Sequence, residues 1–260
     1  MEKNSLLTIF KNNRIFILIV LLLLSGCNQS IAPIDHSSTG LFDHYLVYPF
    51  SLLIKYLANL FRGNYGISII IMTLAIRFIL LPFMVTQMKQ SKMNQEKMKD
   101  IKPEMNAIRE KYKTKRSTED QLSMHRELSE LYKKHDFNPM KTVTGCLPII
   151  IQMPFLIAFY YAIRRTPEIA EHSFLWFSLG ETDLLLVILA VITYYIQSKV
   201  SLMGLEKEQR QQMAVMGILS PILIGVISLT TPAALPLYWT VSALFMIIPT
   251  VLVKTFITKV

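Results

Sequence analysis

Five long segments without a single Asp or Glu limit what this chain can become: 66–86, 142–163, 184–202, 213–229 and 233–253. Each approaches or exceeds the roughly 20 residues that carry a helix across the hydrocarbon core of a bilayer. Only helices or closed barrels satisfy every backbone group there, and continuous apolar runs of this length read as helices. Composition agrees, since 52% of the 260 residues are hydrophobic and 17% are charged, against about 25% charged in soluble domains. A mean hydropathy of +0.39 excludes a disordered chain. The expected fold class is an all-α polytopic membrane protein with five transmembrane helices; whether they surround a hydrophilic groove, and where the long segment between the first two lies, depends on the polar and charged residues.

The net charge of +9 would suggest nucleic acid in a soluble protein, but here the position of each basic residue decides its meaning. Ahead of the spans, Lys3, Lys11 and Arg14 precede an apolar run over 15–24, too short for a span and suited to a signal peptide. The run ends in Leu24-Ser25-Gly26-Cys27, which resembles a bacterial lipobox. Residues 1–26 are therefore expected to be a lipoprotein signal peptide. Cys27 is the expected lipidation site and mature N-terminus, held at the outer leaflet by its acyl chains. An uncleaved first span is the alternative. Cys146 falls in an apolar segment and reads as a small buried hydrophobe.

With the mature N-terminus outside, five spans leave the C-terminus in the cytoplasm. The basic residues then divide unevenly. Lys55, Arg62, Arg164 and Arg165 lie outside, whereas 19 of the 27 lie inside, which is the asymmetry that orients membrane proteins. This removes the need for direct nucleic-acid recognition. Residues 27–65 form an extracytoplasmic segment in which Phe50, Leu53, Ile54, Leu57, Leu60 and Phe61 recur at helical spacing behind Pro49. That spacing predicts an amphipathic helix, lying on the outer interface or packed on the bundle. The first transmembrane helix is assigned to 66–86, and residues 142–260 hold helices two to five with short loops and a cytoplasmic tail.

Residues 87–141 are too long for a connector and have helical composition, without glycine and rich in Lys, Glu, Gln and Met. Met98, Ile101, Met105, Ile108 and Tyr112 step by three and four, as do Met124, Leu128 and Leu131, which are coiled-coil intervals. Lys113–Arg116 supplies a turn, Ser117 with Asp120 a helix cap, and Pro103 a new helical start or a kink. The segment carries 14 basic and nine acidic residues, and reads either as a solvated hairpin that enforces topology or as a platform for an anionic partner.

Arg77 sits near the middle of the first span, where an arginine costs about 2.5–3.5 kcal/mol on insertion scales. No acid occurs in any of the five spans to form an ion pair with it at that depth. Hydrogen bonds to polar side chains or a hydrated cavity are the remaining means of holding it. Thr73, one turn away, with Gln152, Gln197 and Trp239 on other spans, are the candidates for a polar groove. Such a groove would attract acidic segments transiently. Catalytic motifs are missing: no H-E-x-x-H, G-x-S-x-G, P-loop, G-x-G-x-x-G or C-x-x-C occurs, and the five histidines lie outside the spans. Neither an enzyme nor a cofactor nor a metal is expected. A small-anion channel or transporter using Arg77 as a selectivity charge is the alternative from another class.

Together these residues resemble a known family. The lipobox leader is followed by Asn64-Tyr65-Gly66-Ile67-Ser68-Ile69-Ile70, then Arg77, Leu81-Pro82, a basic hairpin and Asn138-Pro139. Gly145-Cys146-Leu147-Pro148, Ile151-Gln152-Met153-Pro154 and Phe174-Leu175-Trp176-Phe177 come next, then Leu179-Gly180, Pro232-Ala233-Ala234-Leu235 and Leu237-Tyr238-Trp239. The ordered set is similar to the YidC-type membrane protein insertases of Gram-positive bacteria. The resemblance implies a groove open to cytoplasm and lipid but closed outside, faced by Arg77 and lined by Gln152 and Trp239, with Gln197. It implies nascent membrane proteins as substrates, and the Sec translocon, the ribosome and the signal recognition particle machinery as partners. The large outer domain of Gram-negative relatives and the long basic tail of some members have no counterpart here. The hairpin is thus the expected ribosome contact.

Overall fold

The computed structural model describes residues 32–38, 40–114, 117–138, 147–205 and 207–256. The signal peptide, Cys27, Cys146 and the first residues of the second expected span lie outside these. The described residues are mostly helical and form two compact units, one up to Leu81 and from Ile149 onward, the other between Pro82 and Pro148.

In the first unit a π-helical turn, Asp43–Val47, leads into helix α1 (Tyr48–Leu60), with Pro49 in its first turn where a missing N–H costs nothing. The amphipathic pattern only partly predicts its packing. Ser51, Ile54 and Ala58 face the interior, whereas Leu53, Leu60 and Phe61 of the expected apolar set are exposed. Two small residues, Ser51 and Ala58, allow this close approach, and the Ser51 hydroxyl pairs with that of Thr166 at 2.8 Å. Helix α1 therefore has a buried face and a separate exposed apolar face. Positive φ at Arg62 and Gly63 turns the chain, and the Gly63 N–H closes on the Ala58 carbonyl at 2.8 Å.

Helix α2 runs over Tyr65–Tyr112 and enters the second unit at Pro82. It continues through Pro82 and Pro103, so Pro103 does not start a new helix. Helix α3 (Thr118–Lys134) is capped by Ser117, whose Oγ accepts from the Asp120 N–H, as its spacing predicts. Within the second unit Met105, Leu128 and Leu131 are buried together, with Met98, Ile108, Met124 and Tyr132 against them. All but Tyr132 belong to the residues at coiled-coil spacing. Lys134 and His135 each reach Glu104 at 3.0 Å, and Lys111 reaches Glu127 at 2.6 Å.

The first unit continues with α4 (Leu147–Arg164), the short α5 (Pro167–Ala170), and strands β1 (Ser173–Phe174) and β2 (Phe177–Ser178). Helices α6 (Leu184–Ser201), α7 (Lys207–Ser228) and α8 (Ala234–Phe256) complete it. Among the described residues one two-stranded antiparallel ribbon departs from the helical pattern, formed where the Phe174 and Phe177 rings pair at 5.8 Å across a two-residue turn.

Helix α6 packs on both α7 and α8. A Cβ at Gly217 would stand 2.5 Å from Ser198 Oγ, and one at Gly225 2.9 Å from Val191 Cγ2, so these glycines permit the close α6–α7 contact. Asp183 caps α6 by accepting from the Leu186 N–H at 2.7 Å. At the same end, the Ala233 and Ala234 N–H groups that begin α8 donate to the carbonyls of Glu181 and Leu179. At the other end Lys254 of α8 donates to the carbonyls of Ser201, the last residue of α6, and of Met203 just beyond it. Helices α6 and α8 are therefore parallel. The start of α2 joins them, because Gly66 lies against the Phe174 ring and the Tyr65 ring packs at a tilt against His172 with centroids 4.5 Å apart. Among the described residues α2, α6 and α8 are long and apolar enough to cross a membrane, and 213–228 forms a shorter apolar stretch.

Candidate functional site

Arg77 is buried, with 7% of its surface exposed. A guanidinium at that depth needs polar company, and the fold supplies it from three other helices. Gln152 of α4 donates from Nε2 to the Tyr238 hydroxyl of α8 at 2.7 Å. Arg77 is a polar neighbour of that same hydroxyl and acts electrostatically on Tyr194 of α6. Ser242, one turn beyond Tyr238, has a buried Oγ close enough to influence the tyrosine but outside hydrogen-bond geometry. The cluster joins α2, α4, α6 and α8 around one positive charge.

The five residues expected from sequence to build the groove divide here. Gln152 stands beside Tyr238, in the Arg77 cluster. Thr73 shares a helical face with Arg77 and is fully buried, but its hydroxyl donates to the Ile69 carbonyl at 2.7 Å and is thus held by its own helix. Trp239 is 3% exposed and belongs to the apolar core with Ile69, Phe159 and Tyr238. Gln197 is half-buried on α6, three residues beyond Tyr194 and therefore on a neighbouring part of the same face. Tyr194, Tyr238 and Ser242 were not singled out from sequence. For Tyr238 a signal was available in the Tyr238-Trp239 pair of α8, where a helical step of about 100° separates two adjacent side chains.

A second polar cluster ties α1 and its approach to the loop after α4. Arg165 donates from Nη1 to Asp43 Oδ2 and from Nε to the Ala32 carbonyl, both at 2.7 Å. Lys55 meets Glu168 at 2.8 Å, and that ammonium holds the Glu168 carboxyl below the usual glutamate range. Among the described residues no group of His, Cys, Asp and Glu is placed to hold a metal ion.

Comparison with known proteins decides the family. Residues 56–259 match the model of the 60Kd inner membrane protein family. The chain belongs to that family. Among its relatives, the membrane protein insertase YidC 2 of Listeria monocytogenes is 43% identical over 247 residues, covering 94% of this chain and 88% of the relative. The YidC 2 insertase of Bacillus anthracis is 45% identical over 232 residues, covering 88% of each. The insertase MisCA of Bacillus subtilis is 45% identical over 237 residues, covering 90% of this chain and 87% of the relative. The expected resemblance to YidC-type insertases is thus found, and the expectation of no enzymatic activity agrees with these names, since insertion makes and breaks no covalent bond.

Proposed function

We propose that this chain is a membrane protein insertase and chaperone that inserts and helps fold integral membrane proteins, alone or with the Sec translocon. The observation that carries the reading is a buried arginine, Arg77, gathered with Gln152, Tyr194 and Tyr238 from four helices in a member of this family. A short hydrophilic segment of a nascent protein, most readily an acidic one, enters a groove containing Arg77, Gln152, Gln197, Thr73 and Trp239. The guanidinium holds it transiently through charge-assisted hydrogen bonds. Release follows as the adjoining hydrophobic helix of the substrate moves into lipid, whose transfer free energy drives the step without a nucleotide. The membrane potential adds about 2.3 kcal/mol per charge per 100 mV where it favours the charge moved.

In this reading the five apolar segments all span the membrane, with Cys27 acylated at the outer leaflet and the C-terminus in the cytoplasm. The helix α1 lies at the outer interface, where its exposed Leu53, Leu60 and Phe61 meet lipid. The basic arms of 87–141 face the cytoplasm and receive the ribosome and the signal recognition particle machinery. Site-specific crosslinking from positions 152 and 239 to a single-span nascent substrate is the direct test. Adducts that form during insertion and disappear on release are expected. Their absence, with substrate inserting normally, would remove the groove.

A further inference from the structure

Sharp turns of two residues between antiparallel strands favour glycine where φ is positive, because a side chain there meets the following backbone. In the β1–β2 ribbon Phe174 pairs with Phe177, so Leu175 and Trp176 form the turn, and Leu175 takes φ +54°. A leucine thus occupies a glycine position. It gains nothing from the protein in return, for it is 74% exposed, and the neighbouring Trp176 is 52% exposed. The base of the ribbon is firmly seated. Phe177 is buried, Phe174 covers Gly66 so closely that a Cβ there would be 2.0 Å away, and the Leu179 N–H returns to the His172 carbonyl. A rigid base therefore projects an apolar tip.

The tip's height along the bundle follows from its contacts. Trp176 Nε1 points to Asp183 Oδ1 at 3.4 Å, and the same oxygen caps α6. The starts of α2 and α8 are joined to this segment through Gly66 and through the carbonyls of Leu179 and Glu181. Among the described residues, the three helices long and apolar enough to cross a membrane all begin at this level. Below the tip the apolar surface continues on α6 through Leu184, Leu185, Ile188 and Ile192, all exposed.

We propose that Leu175–Trp176 is a lipid anchor, inserted at the boundary of headgroups and acyl chains in the leaflet where α2, α6 and α8 begin. Its occupant is phospholipid. An indole with an apolar body and one N–H directed at a polar cap suits that boundary, where tryptophan is enriched. Leu175 extends into the acyl region beside it. The anchor fixes the depth of the ribbon, and through Gly66 and Asp183 it fixes the depth of two spans, whatever substrate the protein handles.

The chain has two tryptophans, so Trp239→Phe leaves Trp176 as sole reporter. In phosphatidylcholine–phosphatidylglycerol vesicles, lipids brominated near the carbonyls are expected to quench Trp176 emission about twofold, while centrally brominated lipids and aqueous acrylamide quench it little. Should Trp239→Phe fail to fold, the difference between the native chain and Trp176→Phe gives the same readout. Leu175→Gly should preserve the ribbon yet weaken the shallow quenching. Full acrylamide access without bromolipid quenching would overturn the anchor, as would stronger quenching at the bilayer centre. Protection from both quenchers would mean that protein covers the tip, which also overturns it.

Discussion

Arg165 donates to Asp43 at 2.7 Å, with 5% of the arginine side chain and 17% of the aspartate side chain exposed. This pair, the Ala32 carbonyl on Arg165 Nε and the Ile34 N–H on the Arg165 carbonyl bind the segment ahead of α1 to the end of α4. The arginine was counted by sequence among four outer charges that set topology. Its structural work is different, because it is spent almost wholly inside the protein.

Asp43→Ala should therefore loosen residues 32–60. Removing one member of a buried pair costs about 3–5 kcal/mol because the remaining charge keeps its desolvation cost. Amide hydrogen exchange at Ile34 is expected to rise by at least about 100-fold, two factors of ten at 1.4 kcal/mol each. Unchanged exchange there would show that the pair does not hold the segment.

Arg77→Ala is expected to reduce insertion of substrates with acidic outer segments about tenfold or more, while Arg77→Lys retains most of it if charge dominates over fork geometry. Substrates with neutral outer segments should be affected less. The measurement is protease protection of single-span substrates in vesicles containing each variant. Equal insertion of acidic substrates by the alanine variant contradicts the electrostatic role.

Gln152 and Tyr238 should be energetically coupled. Interhelical hydrogen bonds in membranes average about 0.6 kcal/mol by double-mutant cycles. Gln152→Leu, Tyr238→Phe and the double variant, compared by thermal stability in detergent, are expected to show coupling of about that size. Strict additivity would mean that the 2.7 Å contact contributes nothing.

Gly66→Ala should destabilise by about 1–3 kcal/mol, since its Cβ would fall inside the Phe174 ring. Phe174→Leu in the same chain is expected to restore much of the loss. A Gly66→Ala chain with native thermal stability would show that the ring moves aside freely.

Acid should loosen the packing of α3 on residues 98–112. Lys134 first, through its hydrogen bond and charge, and then His135 hold the Glu104 carboxyl below the usual glutamate range. A carboxyl with a lowered folded-state value stabilises above its unfolded value and loses that contribution as pH falls through the folded one. Cleavage between α2 and α3 by an acid-active protease should thus rise as pH drops below the ordinary glutamate range. Glu104→Gln should flatten that dependence. Persistence of the full pH response in the glutamine variant would assign it to other groups.

The seam of residues 98–131 was legible because coiled-coil spacing is a local property of one helix, and Met105, Leu128 and Leu131 are buried as their positions predict. The Ser117 cap was legible for the same reason. Of the two readings of Pro103, a helix start or a kink, the helix start is excluded, because loss of one N–H does not end a helix that flanking turns and apolar contacts sustain. The exposed side of α1 was visible as apolar, but its buried side was visible only at Ile54. Ser51 and Ala58 are small, and smallness becomes a packing asset only when a partner helix is present.

By itself the sequence determined the helical class, the apolar segments and the presence of a positive charge among them without an acid. Each follows from composition along a single segment, since backbone hydrogen bonding and burial in lipid are settled within that segment. Tertiary structure alone decided which hydroxyls gather round Arg77, that Arg165 is buried on Asp43, and that a leucine occupies the turn beside the start of α6. Those depend on the rotation and crossing of helices far apart in the chain. A shift of one residue turns a side chain by about 100°, so no local pattern specifies them.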